Sequence, residues 1–158
     1  MNTPASPSTQ MLNRDFKEFA ELLNAHGVEY LLVGGYALAA HGHPRYTGDI
    51  DFWVRPDAQN IERLLLSLQA FGFASLGLTA ADFGPDTVVQ LGQPPRRIDL
   101  LTAIDGVEFE ACWARREKVD VAGLPLYVIA LDDFKTNKRA TGRMKDLADL
   151  ESLDEGEG

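Results

Sequence analysis

The sequence predicts a mixed α/β (α+β) domain, a small mixed central β-sheet flanked by helices. Three observations carry that expectation. Tyr30–Val33 is an apolar run that ends at Gly34–Gly35 and leads straight into a helical segment at 36–41. Asp49–Val54 alternates Asp with Ile and Phe, the period-two pattern of a strand. Around these stretches, apolar residues at helical spacing mark amphipathic helices at 9–26 and 57–71.

The first helix carries Leu12, Phe16, Phe19, Leu22 and Leu23 on one face, with Gly27 placed to end it. After the strand at 30–33 and the diglycine, Gly42, Pro44 and Gly48 mark a loop that delivers the strand at 49–54. Ile61, Leu64, Leu65 and Leu68 form the inward stripe of the second long helix, and Gly72 stops it. A short helical turn is expected at 79–83. Residues 87–91 and 96–101 read as antiparallel strands around Gly92–Gln93–Pro94–Pro95. A short helix follows at 107–115, with Phe109 and Trp113 in the core. Segments 118–121 and 126–129 flank Ala122–Pro125 as a hairpin or two short strands at the sheet edge. A helix begins near Asp132 and ends or kinks at Gly142. A last helix at 143–153 points Met144, Leu147, Leu150 and Leu153 inward. Residues 1–8 read as a disordered leader, 9–153 as one domain and 154–158 as an acidic disordered tail.

A chain of 158 residues with 45% apolar and 25% charged residues is long enough for one real core. No apolar run approaches the roughly 20 residues that span a bilayer. The first ten residues lack the basic and apolar regions of a secretory signal, so a cytoplasmic location and no membrane partner are expected. Cys112 is the single cysteine, which forbids an internal disulfide and reads as a small core residue. The net charge of −9 argues against a surface that grips long duplex DNA, because phosphate neutralisation supplies most of that affinity.

The chemistry concentrates between residues 30 and 54. Asp49 and Asp51 lie two apart on a strand and share a face, an arrangement suited to a hard cation such as Mg²⁺. Gly34 and Gly35 at a strand-to-helix turn let backbone N–H groups approach a phosphate. A phosphate cradle beside metal-binding carboxylates points to a nucleoside triphosphate (NTP) site. Asp99, between Ile98 and Leu100, is a lone carboxylate in an apolar strand, costly there unless paired or used. A salt bridge to Arg96 or Arg97 is the structural alternative to a working role.

The run GGYALAAHGHPRYTGDID, with thirteen residues between the diglycine and the Asp-x-Asp, resembles the signature of the polymerase-β-like nucleotidyltransferases. Within that superfamily it looks like the small stand-alone bacterial branch, which includes abortive-infection and toxin–antitoxin enzymes. The segment KTNKRATGRMKDLADL resembles the C-terminal signature of the same branch. The resemblance implies a nucleotidyltransferase fold and a catalytic, metal-binding triad of Asp49, Asp51 and Asp99. It also implies Gly34, Gly35, Arg45, Thr47, Lys135, Lys138 and Arg143 as phosphate or nucleotide contacts. For the basic residues the other reading is a solvated face paired with Asp132, Asp133 and Asp146. His41 reads as structural.

The expected activity is Mg²⁺-dependent transfer of a nucleoside monophosphate from an NTP to an acceptor hydroxyl on a tRNA end, a protein or a small molecule. Two ions roughly 3.5–4 Å apart would clamp the entering and leaving oxygens, with Mn²⁺ able to replace Mg²⁺. The setting expected by analogy is toxin–antitoxin or defence, with a partner protein from such a pair. The competing expectation is a non-catalytic, antitoxin-like module that keeps the fold and binds a nucleotide or a partner. A glycosyltransferase with a sugar-nucleotide Asp-x-Asp fits poorly in so short a chain.

Overall fold

A computed structural model of the chain describes residues 12–43, 47–143, 148, 150, 151 and 153. The leader, the acidic tail and the expected inward positions Met144 and Leu147 lie outside the described residues. The secondary structure runs α1 (Arg14–Ala25), β1 (Tyr30–Val33), α2 (Gly34–Ala40), β2 (Asp49–Val54) and α3 (Ala58–Phe71). It continues with β3 (Val88–Leu91), β4 (Arg97–Leu101), α4 (Phe109–Ala114), β5 (Glu117–Val121), β6 (Leu124–Val128) and α5 (Leu131–Thr141). Ala148, Leu150, Glu151 and Leu153 are also helical, and Leu150 and Leu153 are buried.

Local chemistry sets the helix ends. Asn13 caps α1 by accepting from the Phe16 N–H, and Asp57 caps α3 by accepting from the Asn60 N–H. Gly72 and Gly142 adopt left-handed conformations that stop α3 and α5. The expected turn near 79–83 is a 3₁₀ turn, Ala80–Phe83, closed by reciprocal Thr79 and Asp82 hydrogen bonds. Asn60 has a role the sequence pattern did not reveal. Its buried amide accepts from the Glu29 N–H and donates to the Glu29 and Arg55 carbonyls, tying the start of α3 to the ends of β1 and β2.

The six strands form one mixed sheet in the order β3-β4-β2-β1-β6-β5. β1 runs antiparallel to β2 and parallel to β6, and β2 runs parallel to β4. The β3–β4 and β5–β6 pairs are antiparallel hairpins. The hairpin alternative for 118–129 is the one present, and of its two strands β5 alone lies at an edge of the sheet, because β6 docks beside β1.

Strand alternation divides β2 between two environments. Phe52 is fully buried and meets Phe19 of α1 and Tyr30 of β1 edge-on, with centroids 5.7 and 5.3 Å apart. Ile50 and Val54 share its face. Asp49, Asp51 and Trp53 point to the other face, where Trp53 packs edge-on against Phe109 of α4 at 5.1 Å. The sheet therefore buries an aromatic core under α1 while presenting carboxylates on its opposite side. Cys112 is buried, as its composition predicts.

Phe52→Ala leaves a void at the junction of α1, β1 and β2 and is expected to cost about 3–5 kcal/mol of stability. Urea unfolding monitored by circular dichroism measures this. A loss below about 1 kcal/mol would contradict the assignment of Phe52 to the centre of the core.

Candidate active site

The register between β2 and β4 builds the site. Asp51 lies opposite Asp99, and Asp49 lies opposite Arg97, so all four side chains project from one face. One oxygen from each of Asp49, Asp51 and Asp99 lies within 4.8 Å of the others. Asp99 is only 6% exposed.

Arg97 sits inside this cluster. Its Nε donates to Asp99 Oδ1 at 2.9 Å, and its Nη2 donates to Asp99 Oδ2 at 3.1 Å and to Asp49 Oδ2 at 2.8 Å. Thr47 Oγ1 donates to the other Asp49 oxygen at 3.0 Å. A continuous chain Thr47–Asp49–Arg97–Asp99 thus fixes two of the three carboxylates. The salt-bridge alternative for Asp99 and its convergence with Asp49 and Asp51 are both realised, with Arg97 as the pairing residue. Arg96 turns instead toward Asp15 on α1, 3.7 Å away.

The carboxylates respond differently to this crowding. Burial pushes the Asp51 carboxyl up to about 8, and the neighbouring charges of Asp49 and Asp99 push the same way. Asp99 is raised by burial, against the pull of Arg97. At Asp49 burial acts upward too, but its contacts with Thr47, Asp99 and Arg97 outweigh it and hold the carboxyl below its ordinary value.

The diglycine turn lies against the cluster. Gly34 has a φ of +72°, and a Cβ there would collide with the Asp51 carboxylate. A Cβ on Gly35 would come within 3.1 Å of the Thr47 side chain. Both glycines let β1 and α2 sit flush against the acidic strand, in addition to any approach by a ligand.

A cleft of about 570 Å³ opens over these residues. It is lined by Gly34, Gly35, Thr47, Asp49, Asp51, Arg97 and Asp99, and further by Val88, Gln90 and Leu101 of the β3–β4 hairpin. Two of the expected basic residues, Lys138 and Arg143, also line it. Lys135 does not line it, and its side chain is buried at 8% exposure on α5. Arg45 lies outside the described residues. His41 is structural: its Nε2 pairs with the Ile129 carbonyl at 2.7 Å, which ties the end of α2 to β6. Asp133, a suggested partner for the basic residues, is held by Arg115 through two hydrogen bonds of 2.8 and 3.0 Å.

The donor set suits a hard divalent cation. Three carboxylates converge within the span one ion could bridge, and Asp51 among them is pushed up by burial first and by its acidic neighbours second. Arg97 was not singled out as a site residue in the sequence, although its place two residues before Asp99 puts both on one strand face.

The acidic cluster and the diglycine turn thus lie together on one face of the mixed sheet. The chain belongs to the family described as nucleotidyl transferase of unknown function (DUF2204), whose model matches residues 12–156. Among solved structures, it is similar in fold to TM1012 of Thermotoga maritima, a protein with a provisional nucleotidyltransferase assignment. The TM-score is 0.52 at 13% identity, covering 90% of this chain and 89% of that one. No curated protein sequence matches the chain at a significant level. The nucleotidyltransferase fold and superfamily expected from residues 30–54 are thereby upheld. Among the described residues, no helix is long and apolar enough to cross a membrane.

The raised Asp51 and Asp99 predict a pH signature in the metal-free protein. The folded chain keeps a proton on Asp51 up to about pH 8, whereas the unfolded chain releases it near pH 4. The folded state therefore binds more protons across that window, and stability falls as pH rises through it. Scanning calorimetry should give a lower Tm at the upper end of the window than in its middle. Asp51→Asn should flatten most of the slope and raise Tm at the upper end. A wild-type Tm that climbs with pH across the window would overturn the charge crowding.

Proposed function

We propose that the protein transfers a nucleoside monophosphate from an NTP to an acceptor hydroxyl, with Mg²⁺ or Mn²⁺ held by Asp49, Asp51 and Asp99. The observation that carries this reading is the convergence of the three carboxylates in a cleft whose other rim is Gly34, Gly35, Lys138 and Arg143. Membership of a nucleotidyl transferase family supports it. Bound there, a divalent cation supplies charge neutralisation and Lewis-acid polarisation of phosphate oxygens.

The chain's own residues have distinct tasks. Lys138 and Arg143 offset the negative charge of the triphosphate from the α5 side of the cleft. The Gly34–Gly35 backbone leaves room for the phosphates beside Asp51. Asp99, buried and farthest toward the β3–β4 hairpin, takes the proton of the attacking hydroxyl. Arg97 is a positioning residue: its fork holds Asp99 by both oxygens and Asp49 by one, fixing their separation before substrate arrives. Thr47 acts on Asp49 in the same way. The acceptor meets the uncharged Val88, Gln90 and Leu101 on its side of the cleft.

The direct test incubates the protein with Mg²⁺, each α-labelled NTP and a cell extract or total tRNA, and follows label onto macromolecules and small molecules. Wild type is expected to transfer label, and Asp49→Asn combined with Asp51→Asn to abolish it. Asp99→Asn should lower the rate roughly 10²- to 10⁴-fold, the range for loss of a general base. If the wild type neither transfers label nor binds NTP with Mg²⁺ in calorimetry, catalysis is ruled out and the cleft serves a partner instead.

Arg97→Lys keeps the charge but loses the planar fork. It is expected to lower kcat by roughly ten- to a hundredfold, the cost of slight misplacement, with KM for the NTP little changed. An Arg97→Lys enzyme with wild-type kcat would remove Arg97 from the machinery.

A further inference from the structure

We propose that β5 is a self-pairing edge through which two copies of this chain join their sheets about a two-fold axis. β5 ends the strand order, so its outer edge has no strand partner among the described residues. Its sequence, Glu117-Lys118-Val119-Asp120-Val121, is exposed at Glu117, Lys118 and Asp120 and half-buried at Val119.

The turn that closes the hairpin decides which backbone groups face outward. Ala122 and Gly123 both have positive φ, 54° and 85°, the pattern of a two-residue type I′ turn. Such a turn joins the Val121 carbonyl to the Leu124 N–H, so Val121 directs its backbone groups inward to β6. Backbone direction alternates along a strand. Val119 and Glu117 therefore also bond inward, and Lys118 and Asp120 present N–H and C=O to the open edge. Pro125 agrees with this phase. It lies opposite Asp120, where no N–H is needed between the two strands, and its carbonyl accepts from Asn24 on the side away from β5.

A second β5 added antiparallel across a two-fold must pair residues whose side chains share a sheet face, so the axis passes through a residue position. An axis at Lys118 sets Lys118 against itself, and an axis at Asp120 sets Asp120 against itself. An axis at Val119 sets Lys118 against the partner copy's Asp120 and Asp120 against its Lys118. In that register the two residues with outward backbone groups face one another, so each pair exchanges both backbone hydrogen bonds and adds opposite charges. The Val119 side chains meet at the centre, in the closer spacing of a pair without hydrogen bonds. Isolated charges blunt an edge against pairing; this alternation blunts the two registers centred on a charge and favours the one between them.

The sheet then doubles, and both clefts open on the same face of it, each separated from the junction by β1 and β6. A contact of one short strand falls below the standard interface size, so the dimer is expected to be concentration-dependent.

Sedimentation velocity over a concentration series tests the proposal, with the full chain at low salt. Wild type is expected to move from monomer to dimer as concentration rises. Lys118→Asp turns two attractive pairs into two repulsive ones and should weaken dimerisation roughly tenfold or more. Combined with Asp120→Lys it restores opposite charges and should recover most of the lost affinity, the shortfall being the turn hydrogen bond from the Gly123 N–H to Asp120 Oδ1 that Asp120→Lys also removes. Hydrogen exchange on the wild type gives a reading that no variant can compromise: the Lys118 and Asp120 amides should become more protected as concentration rises, and the Val119 amide should not. A monomer at millimolar concentration, or a dimer indifferent to the single and double charge changes, would overturn the proposal.

Discussion

Three carboxylates pressed together on one sheet face are the constraint on which the rest of this structure depends. Left alone they repel, and burial makes the repulsion worse. What holds them is backbone: β2 and β4 run parallel in a register that sets Asp51 against Asp99. That register is fixed from the other face, where Ile50, Phe52, Ile98 and Leu100 are buried in the core. A slip of one residue would turn those side chains outward and the carboxylates inward. The hydrophobic effect on one side of the sheet thus finances the electrostatic strain on the other.

Arg97 converts that strain into order. A lysine could offset one charge, but a guanidinium spans two carboxylates with fixed geometry. It leaves Asp51 outside its hydrogen bonds, so the least compensated carboxylate is the one that packs against Gly34. The site therefore has an Arg97-bridged half, Asp49–Arg97–Asp99, which keeps one net negative charge when both carboxylates are ionised, and a third carboxyl, Asp51, outside that bridge. Lys138 and Arg143 add positive charge to the lining of the same cleft.

Much of this was legible in the sequence because its signals are local. The diglycine after an apolar run, and the alternation at Asp49–Val54, fix their strands and faces without reference to distant residues. Asp99 stood out because a carboxylate between Ile98 and Leu100 needs a reason. The rest depends on pairings that sequence spacing does not carry. Periodicity groups Lys135, Lys138 and Arg139 on one helix face but does not say which of them reaches a cleft. Packing buries Lys135 and leaves Arg139 exposed, and Lys138 alone of the three lines the cleft. The docking of β6 beside β1, which makes β5 the sole edge of the hairpin, is likewise a long-range choice. The salt bridge from Arg96 or Arg97 to Asp99 was legible, and strand parity selects Arg97, because a cation two residues from a carboxylate on a strand shares its face.

The same sheet also explains why the two ends of the strand order differ. The β3 end carries uncharged side chains, Val88 and Gln90, into the cleft beside Asp99. The β5 end carries alternating charge far from it. A strongly charged strand beside the cleft would compete with Asp99 and Arg97 for their partners. An edge remote from the site is free to encode recognition, and alternating charge on outward-bonding residues is the cheapest code a short strand can carry. The division of labour follows from topology, because β4 and β2 place the triad toward one end of the sheet and leave β1 and β6 as a buried spacer before the other.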